Sequence, residues 1–392
     1  MPSRANMMQW SVITLLGLAV LMVNSASMTV GRMTVTWHQL LAGRPTLYAV
    51  IAIVVMMGVG RIDLRKVYAA RGFTNPIPWL LLIAVMLCVV ALIPKFSAEI
   101  NGSRRWLFLG PRKLGLTFQP SELAKWTMVL AVSWWCARRA GVMQRFKAGL
   151  LPMLVLIALV CGLIVKEDLG TTALISAVAM GLLIAGGAKL WQLGLLLPVG
   201  LAGLGAMIFY SPYRVQRLLT FMDPYADPRK YGYQPIQMMA AIAEGNRGLG
   251  NGIAKMGYLP ADTTDAIFAI VVEELGVGGA ALVMVLFLIL LWTALGVVRD
   301  CKWVFGKMVG LGVILTLGLQ AVMNIAVVTV VVPTKGIALP FLSSGGTGWV
   351  MCAAAAGLLI ALDRINQEEA EAEKIGNVER PRMEPKLSAS AT

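Results

Sequence analysis

The chain has little of what most soluble enzymes work with. One histidine, His38, stands among 392 residues, which removes most support for a histidine-based triad or a clustered histidine metal site. Five cysteines, Cys88, Cys136, Cys161, Cys301 and Cys352, lie in or beside apolar runs without paired spacing. They read as small core residues rather than disulfides or metal ligands. Charged residues make up 14% against 58% hydrophobic, a balance outside that of soluble domains. A soluble interval is missing too: apolar runs recur from Trp10 to Leu362, so the chain reads as one all-α, polytopic integral membrane domain.

What charge there is leans positive. Lys and Arg number 34 and Asp and Glu 20, for a formal +14, which points to anionic lipid or an anionic substrate. Nucleic acid is excluded as a partner because the basic residues lie between membrane spans.

Runs of spanning length lie at Trp10–Met28, Leu47–Gly60, Pro78–Ile93, Leu123–Ala137, Leu150–Val165, Thr172–Ala188, Leu190–Tyr210, Ile267–Val298, Val309–Val332 and Trp349–Leu362. They predict about ten transmembrane helices. Ser25-Ala26-Ser27 could pass for a signal-peptide cleavage site, but a retained first span is preferred because many spans follow it.

Arg61, Arg65, Lys66 and Arg71, then Arg138, Arg139, Arg145 and Lys147, then Arg299, Lys302 and Lys307 mark one set of loops as cytoplasmic. Both termini are then cytoplasmic, with residues 1–8 a tail, 9–365 the membrane domain and 366–392 a disordered tail. A large extracytoplasmic loop, about 211–266, joins the seventh and eighth helices.

The stretch Val165-Lys166-Glu167-Asp168-Leu169-Gly170-Thr171-Thr172 sets three charges between two apolar runs. Ionisable groups at that depth are costly and by default mark a site. Asp168 has two compatible readings, a helix N-cap and a catalytic base. Glu122 and Lys125, three apart after Pro120, read equally as an i,i+3 ion pair and as cavity lining. Glu273 and Glu274 project to different sides of one helix; at most one should face the interior, and Glu274 is favoured. Asp223 and Asp227, beside prolines, are turn formers. Arg104, Arg105 and Lys335, flanked by Trp, Gly and Pro on the extracytoplasmic side, suggest an anion site.

Seven short motifs carry a resemblance. They are Asn101-Gly102-Ser103-Arg104-Arg105-Trp106, Gln119-Pro120-Ser121-Glu122-Leu123-Ala124-Lys125, Asp168-Leu169-Gly170-Thr171, Asp223-Pro224-Tyr225-Ala226-Asp227-Pro228, Tyr258-Leu259-Pro260, Glu273-Glu274-Leu275-Gly276 and Pro333-Thr334-Lys335-Gly336. In this order the chain resembles the SEDS family over nearly its whole membrane domain. The resemblance implies a bacterial inner-membrane peptidoglycan glycosyltransferase that polymerises lipid II, with a class B penicillin-binding protein as transpeptidase partner. It also implies ten helices, a role in cell division beside divisome components, and Asp168 as the family's essential aspartate. Arg104, Arg105, Lys335, Glu122, Lys125 and Glu274 would then bind substrate. The cofactor is unknown: a divalent cation on the diphosphate stays an open alternative, and with no second carboxylate beside Asp168 in sequence none is predicted.

The chain departs from the family pattern in places. Glu167 stands where many members have proline, and Ala261-Asp262-Thr263-Thr264-Asp265-Ala266 keeps only the Thr-Asp of a longer conserved run. Two other classes remain open, a lipid II flippase and a non-enzymatic scaffold that recruits a transpeptidase.

Overall fold

The computed structural model describes residues 3–26, 41, 43–100, 103–108, 117–195, 197–252, 259, 263–344 and 346–378. His38, Lys255, Tyr258 and Pro260 lie outside the described residues. Each predicted run falls on a helix: α1 Arg4–Ala26, α2 Arg44–Val59, α3 Pro76–Ala91, α4 Pro120–Arg138, α5 Leu151–Ile164, α6 Leu169–Ala185, α7 Leu197–Phe209, α8 Ile267–Asp300, α9 Val304–Val328 and α10 Thr347–Val378. Among the described residues, five helices are long and apolar enough to cross a membrane, and three shorter ones are also apolar. This is a multi-pass membrane protein.

Local chemistry sets many of the helix starts. Proline occupies the first turn of α2, α3, α4 and α5, where its missing N–H costs nothing. Asn75 caps α3 by accepting from the Ile77 N–H. The run Leu190–Tyr210 breaks into Leu190–Gly194 and α7 ahead of Pro198, which cannot donate within a helix.

At two places the described helices run past the boundaries expected from the sequence. Helix α1 starts at Arg4, inside the predicted tail, because the Ser3 hydroxyl accepts from the Asn6 N–H and caps it. Helix α10 runs past 365 to Val378. There Glu368 pairs with Arg364 one turn back and with Arg65, and Asn366 donates to the Val297 carbonyl; these contacts stand in for the missing apolar periodicity. The 211–266 segment also holds two helices, Pro212–Met222 and Tyr233–Ala243.

Two large apolar cores hold the bundle, with a small third of Ile77, Ala131, Phe305 and Val309. One joins α1, α2, α8 and α10, the other α3 to α6, with α9 packed between α4 and α6. Backbones approach closely where α2 meets α10: a Cβ on Gly357 would stand 2.6 Å from the Met56 carbonyl oxygen. Small residues let helices pack this way where lipid supplies no hydrophobic drive.

The two ends of the bundle differ in chemistry. One carries Arg4 paired with Asp300, Lys302 paired with Glu373, and Arg138 stacked on Tyr68 at 4.9 Å. The other carries Asp168 and a three-stranded antiparallel sheet, β1 Ser97–Ile100, β2 Ser103–Phe108 and β3 Thr117–Phe118.

Candidate functional site

Asp168 is 5% exposed and caps α6. Its Oδ1 accepts from the Thr171 N–H at 2.9 Å, and its Oδ2 accepts from the Thr171 hydroxyl at 2.9 Å. Two more donors reach Oδ2: Arg105 Nη1 at 2.9 Å and Gln119 Nε2 at 3.3 Å. The sheet delivers both, since Leu107 on β2 pairs with Phe118 on β3 and so brings Arg105 and Gln119 to the same place. A buried carboxylate needs such partners to stay charged. The turn before it is tied down in turn, with Arg214 Nη2 donating to the Val165 and Lys166 carbonyls at 3.3 Å each.

These groups open onto a cavity of about 350 Å³, walled by Arg105, Gln119, Asp168, Lys125, Asp265 and Trp349 among others. Asp265 comes from the turn just before α8. Burial pushes its carboxyl up to about 6, against the pull of Arg105 and Arg217 and with help from the Asp168 charge. Gly336 makes room: a Cβ there would lie 2.9 Å from Asp265 Oδ2 and 3.7 Å from Arg105 Nη2. Asn324 Nδ2 donates to the carbonyls of Asp265 at 2.9 Å and Ile337 at 2.7 Å, fixing this turn against the opposite wall.

Glu122 and Lys125 line the same cavity but are turned on each other. Lys125 is 2% exposed, and its ammonium donates to Glu122 Oε1 at 2.9 Å, to Glu122 Oε2 at 2.8 Å and to Gln320 Oε1 at 2.9 Å. Three acceptors use the three N–H bonds of an ammonium, so the pair braces α4 against α9 and offers a substrate no free proton. Both readings of the i,i+3 spacing hold here.

The other sequence candidates scatter. Lys335 is half-buried, and its neighbours Gly336 and Ile337 form the wall in its place. The Arg104 side chain lies outside the described residues. Glu274 stands away from the cavity, accepting from the Ser25 hydroxyl at 2.8 Å and the Gly250 N–H at 3.0 Å. The expectation that only one of Glu273 and Glu274 faces inward is corrected, for they are 0% and 1% exposed. A left-handed break at Gly276, with φ 64°, lets the Asn246–Gly250 segment fold over both.

Three site residues escaped the sequence reading. Asp265 left one signal, the retained Thr264-Asp265 pair. Arg217, which donates to the Thr334 carbonyl at 3.0 Å, lies in a loop rich in basic residues that hides it, and Arg44, on the cavity wall, lies ahead of the apolar run Leu47–Gly60 with no local signal. Among the described residues, no three His, Cys, Asp or Glu side chains gather as a metal would require. Asp168 and Asp265 instead share the positive field of Arg105.

A family model described as a cell cycle protein, spanning FtsW, RodA and SpoVE, matches residues 6–368. A probable peptidoglycan glycosyltransferase FtsW of Nitrosococcus halophilus is 37% identical over 359 residues, which are 90% of each chain. The protein of the same description from Nitrosomonas europaea is 37% identical over 371 residues, 91% of this chain and 92% of that one. Two solved structures share the fold. A chain from a peptidoglycan synthase complex that couples polymerization with crosslinking has a TM-score of 0.71 at 24% identity, over 91% of this chain and 98% of its own. The rod shape determining protein RodA of Thermus thermophilus has a TM-score of 0.61 at 20% identity, over 91% and 95%.

Proposed function

Because the chain belongs to the FtsW/RodA/SpoVE family, we propose that it polymerises lipid II into glycan strands during cell division, in the cavity between Asp168 and Asp265. In this reaction the 4-hydroxyl of one sugar attacks the anomeric carbon of another. Configuration inverts and undecaprenyl diphosphate leaves.

The observation that carries the reading is the pairing of two unlike carboxylates across one guanidinium. Asp168 already accepts four hydrogen bonds, one of them from Arg105, so its carboxylate is committed to holding its neighbours. Asp265, raised to about 6, lies closer to neutrality, where a general base works best. Asp265 therefore takes the hydroxyl proton. Asp168 holds Arg105 in place, and that guanidinium, with Arg44 at the wall and Arg104 and Lys335 nearby in the chain, stabilises charge gathering on the leaving diphosphate. The sequence reading gave the base role to Asp168; the hydrogen-bond inventory supports moving it to Asp265 and leaving Asp168 a positioning role.

The lipid-linked substrate suits a bundle whose apolar flanks are open to the bilayer. The basic loops gather at the end opposite Asp168, which supports an inner-membrane orientation with both termini and those loops in the cytoplasm and the site facing outward. A class B penicillin-binding protein is the proposed partner, within a divisome assembly.

Purified protein with its cognate transpeptidase, assayed on lipid II, tests this. Wild type should form polymer, and a folded Asp265→Asn variant should form at least 100-fold less. Full activity in Asp265→Asn would remove the base. No polymer from a verified wild-type complex would turn the reading toward a flippase or a scaffold.

A further inference from the structure

Helix α8 is two rods meeting at Gly276. The first, Ile267–Leu275, is buried from Ile267 through Glu274 and carries Asp265 two residues ahead of its N-terminus. Gly276 has φ 64° and ψ −161°, a conformation open essentially to glycine alone. Such a break frees helix carbonyls that would otherwise accept from the next turn. Here they are taken by a strap that follows the loop helix: the N–H groups of Asn246, Arg247 and Gly248 donate to the carbonyls of Val272, Glu273 and Glu274 at 3.4, 2.9 and 2.9 Å.

Side chains lock the strap in place. Glu274 Oε2 accepts from the Gly250 N–H at 3.0 Å, and both its oxygens lie 2.8 Å from the Ser25 hydroxyl at the end of α1. The fit is close, for a Cβ on Gly276 would stand 3.0 Å from the Asn246 Cβ. The strap itself needs left-handed backbone at Asn246, Gly248 and Gly250, with φ of 75°, 89° and 83°. Helix propensity explains none of this, since a continuous α8 would satisfy the same carbonyls unaided.

We propose that the Gly276 break, with its strap and the Glu274 clasp, is the device that sets the reach of Asp265 across the cavity toward Arg105 and Asp168, making Gly276 and Glu274 positioning residues for the reaction. The inference rests on the reading of Asp265 as the base. The rod is roughly 14 Å long at 1.5 Å per residue. A tilt of about 10° at its foot moves its far end by ~2 Å, and misplacements of ~1 Å already cost on the order of 100-fold in rate. Most of the cavity wall, drawn from β2, α2, α4, α6, α10 and residues 336–344, lies outside the rod, so substrate binding should be nearly indifferent to the tilt.

The test compares wild type, Glu274→Gln, Gly276→Ala and Asp265→Asn as full-length protein with its transpeptidase. It measures kcat and KM for lipid II, the pH profile of kcat, and hydrogen exchange of the strap amides. The expected result for Glu274→Gln and Gly276→Ala is at least tenfold faster exchange at Arg247 and Gly248 and a kcat lower by roughly 10- to 100-fold. KM should stay within about twofold, and the pH midpoint should shift as Asp265 moves relative to Arg105. Should Gly276→Ala fail to fold, Glu274→Gln carries the test, because it keeps the side-chain volume.

Faster strap exchange with unchanged kcat overturns the inference and leaves the proposed function standing. So does a loss of kcat with proportionate loss of substrate binding and an unmoved pH midpoint, which marks a merely structural role. Full activity in Asp265→Asn removes the base and overturns this inference with it, while the polymerase reading stands.

Discussion

Arg105 is the residue on which two carboxylates depend in different ways. It pairs directly with Asp168 and only through space with Asp265, so its removal should separate stability from chemistry. Arg105→Ala leaves Asp168 buried with Thr171 and Gln119 as its remaining donors, at a cost of about 2–3 kcal/mol, the low side of a broken buried pair. A thermal melt in detergent reads that cost. The same change takes positive charge from Asp265, which should move its carboxyl further up. In wild type, activity should be lost as pH falls through about 6, because a protonated Asp265 cannot accept the hydroxyl proton. In an Arg105→Lys variant, which keeps the charge and loses the fork, the midpoint should stay near that of wild type while kcat falls. A pH midpoint insensitive to both Arg105 variants would show that another group titrates. The Glu122–Lys125–Gln320 set behaves oppositely. Lys125→Leu alone strands a buried carboxylate and should cost about 3–5 kcal/mol, whereas Lys125→Leu with Glu122→Leu should recover most of that stability. Polymerisation retained in the double variant would mark the pair as a brace between helices.

At the scale of elements, much was legible and the gaps have physical reasons. Length and apolarity of the runs gave the helices, and Pro120 marked the start of α4. The spacing of Glu122 and Lys125 gave their pairing, and Asp168 before Leu169-Gly170-Thr171 gave its cap. The end of α10 was not readable, because Glu368 and Glu373 find Arg65 and Lys302 from other loops, which no local pattern records. Asp265 was hidden for the same reason: what raises it is burial against groups distant in the chain, and sequence shows neighbours rather than enclosure. The break in α8 left only the Glu-Glu-Leu-Gly motif as a trace. Glycine packing is likewise visible only once helices meet. Gly357→Val should push α10 from α2, since even a Cβ would meet the Met56 carbonyl at 2.6 Å, and overpacking of this kind costs about 1–3 kcal/mol. A lower melting temperature with unchanged KM for lipid II would separate this packing defect from a site defect.

For the whole molecule the open matter is orientation, and the cysteines make it measurable. All five described thiols are buried, where a polar maleimide does not reach.

 Labelling therefore needs no cysteine-free background. If the end bearing Asp168 faces outward, Tyr225→Cys, at a residue of the 211–266 segment that is 69% exposed, should react with an impermeant maleimide in cells whose outer membrane alone is opened. Arg71→Cys, exposed at the opposite end, should react only after the inner membrane is breached. The physical basis is the retention of Lys and Arg on the cytoplasmic side: Arg61, Arg65, Lys66, Arg71, Arg138 and Arg139 gather at one end, and at the other Arg105, Arg214 and Arg217 are engaged by Asp168 or by backbone carbonyls. Arginines committed to such contacts are held by the fold, so they can sit on the outer side against the charge rule. The reverse labelling pattern would put the cavity on the cytoplasmic side, where a polymerase of exported glycan could not work, and would leave a carrier of lipid-linked sugar as the better account of the same two carboxylates.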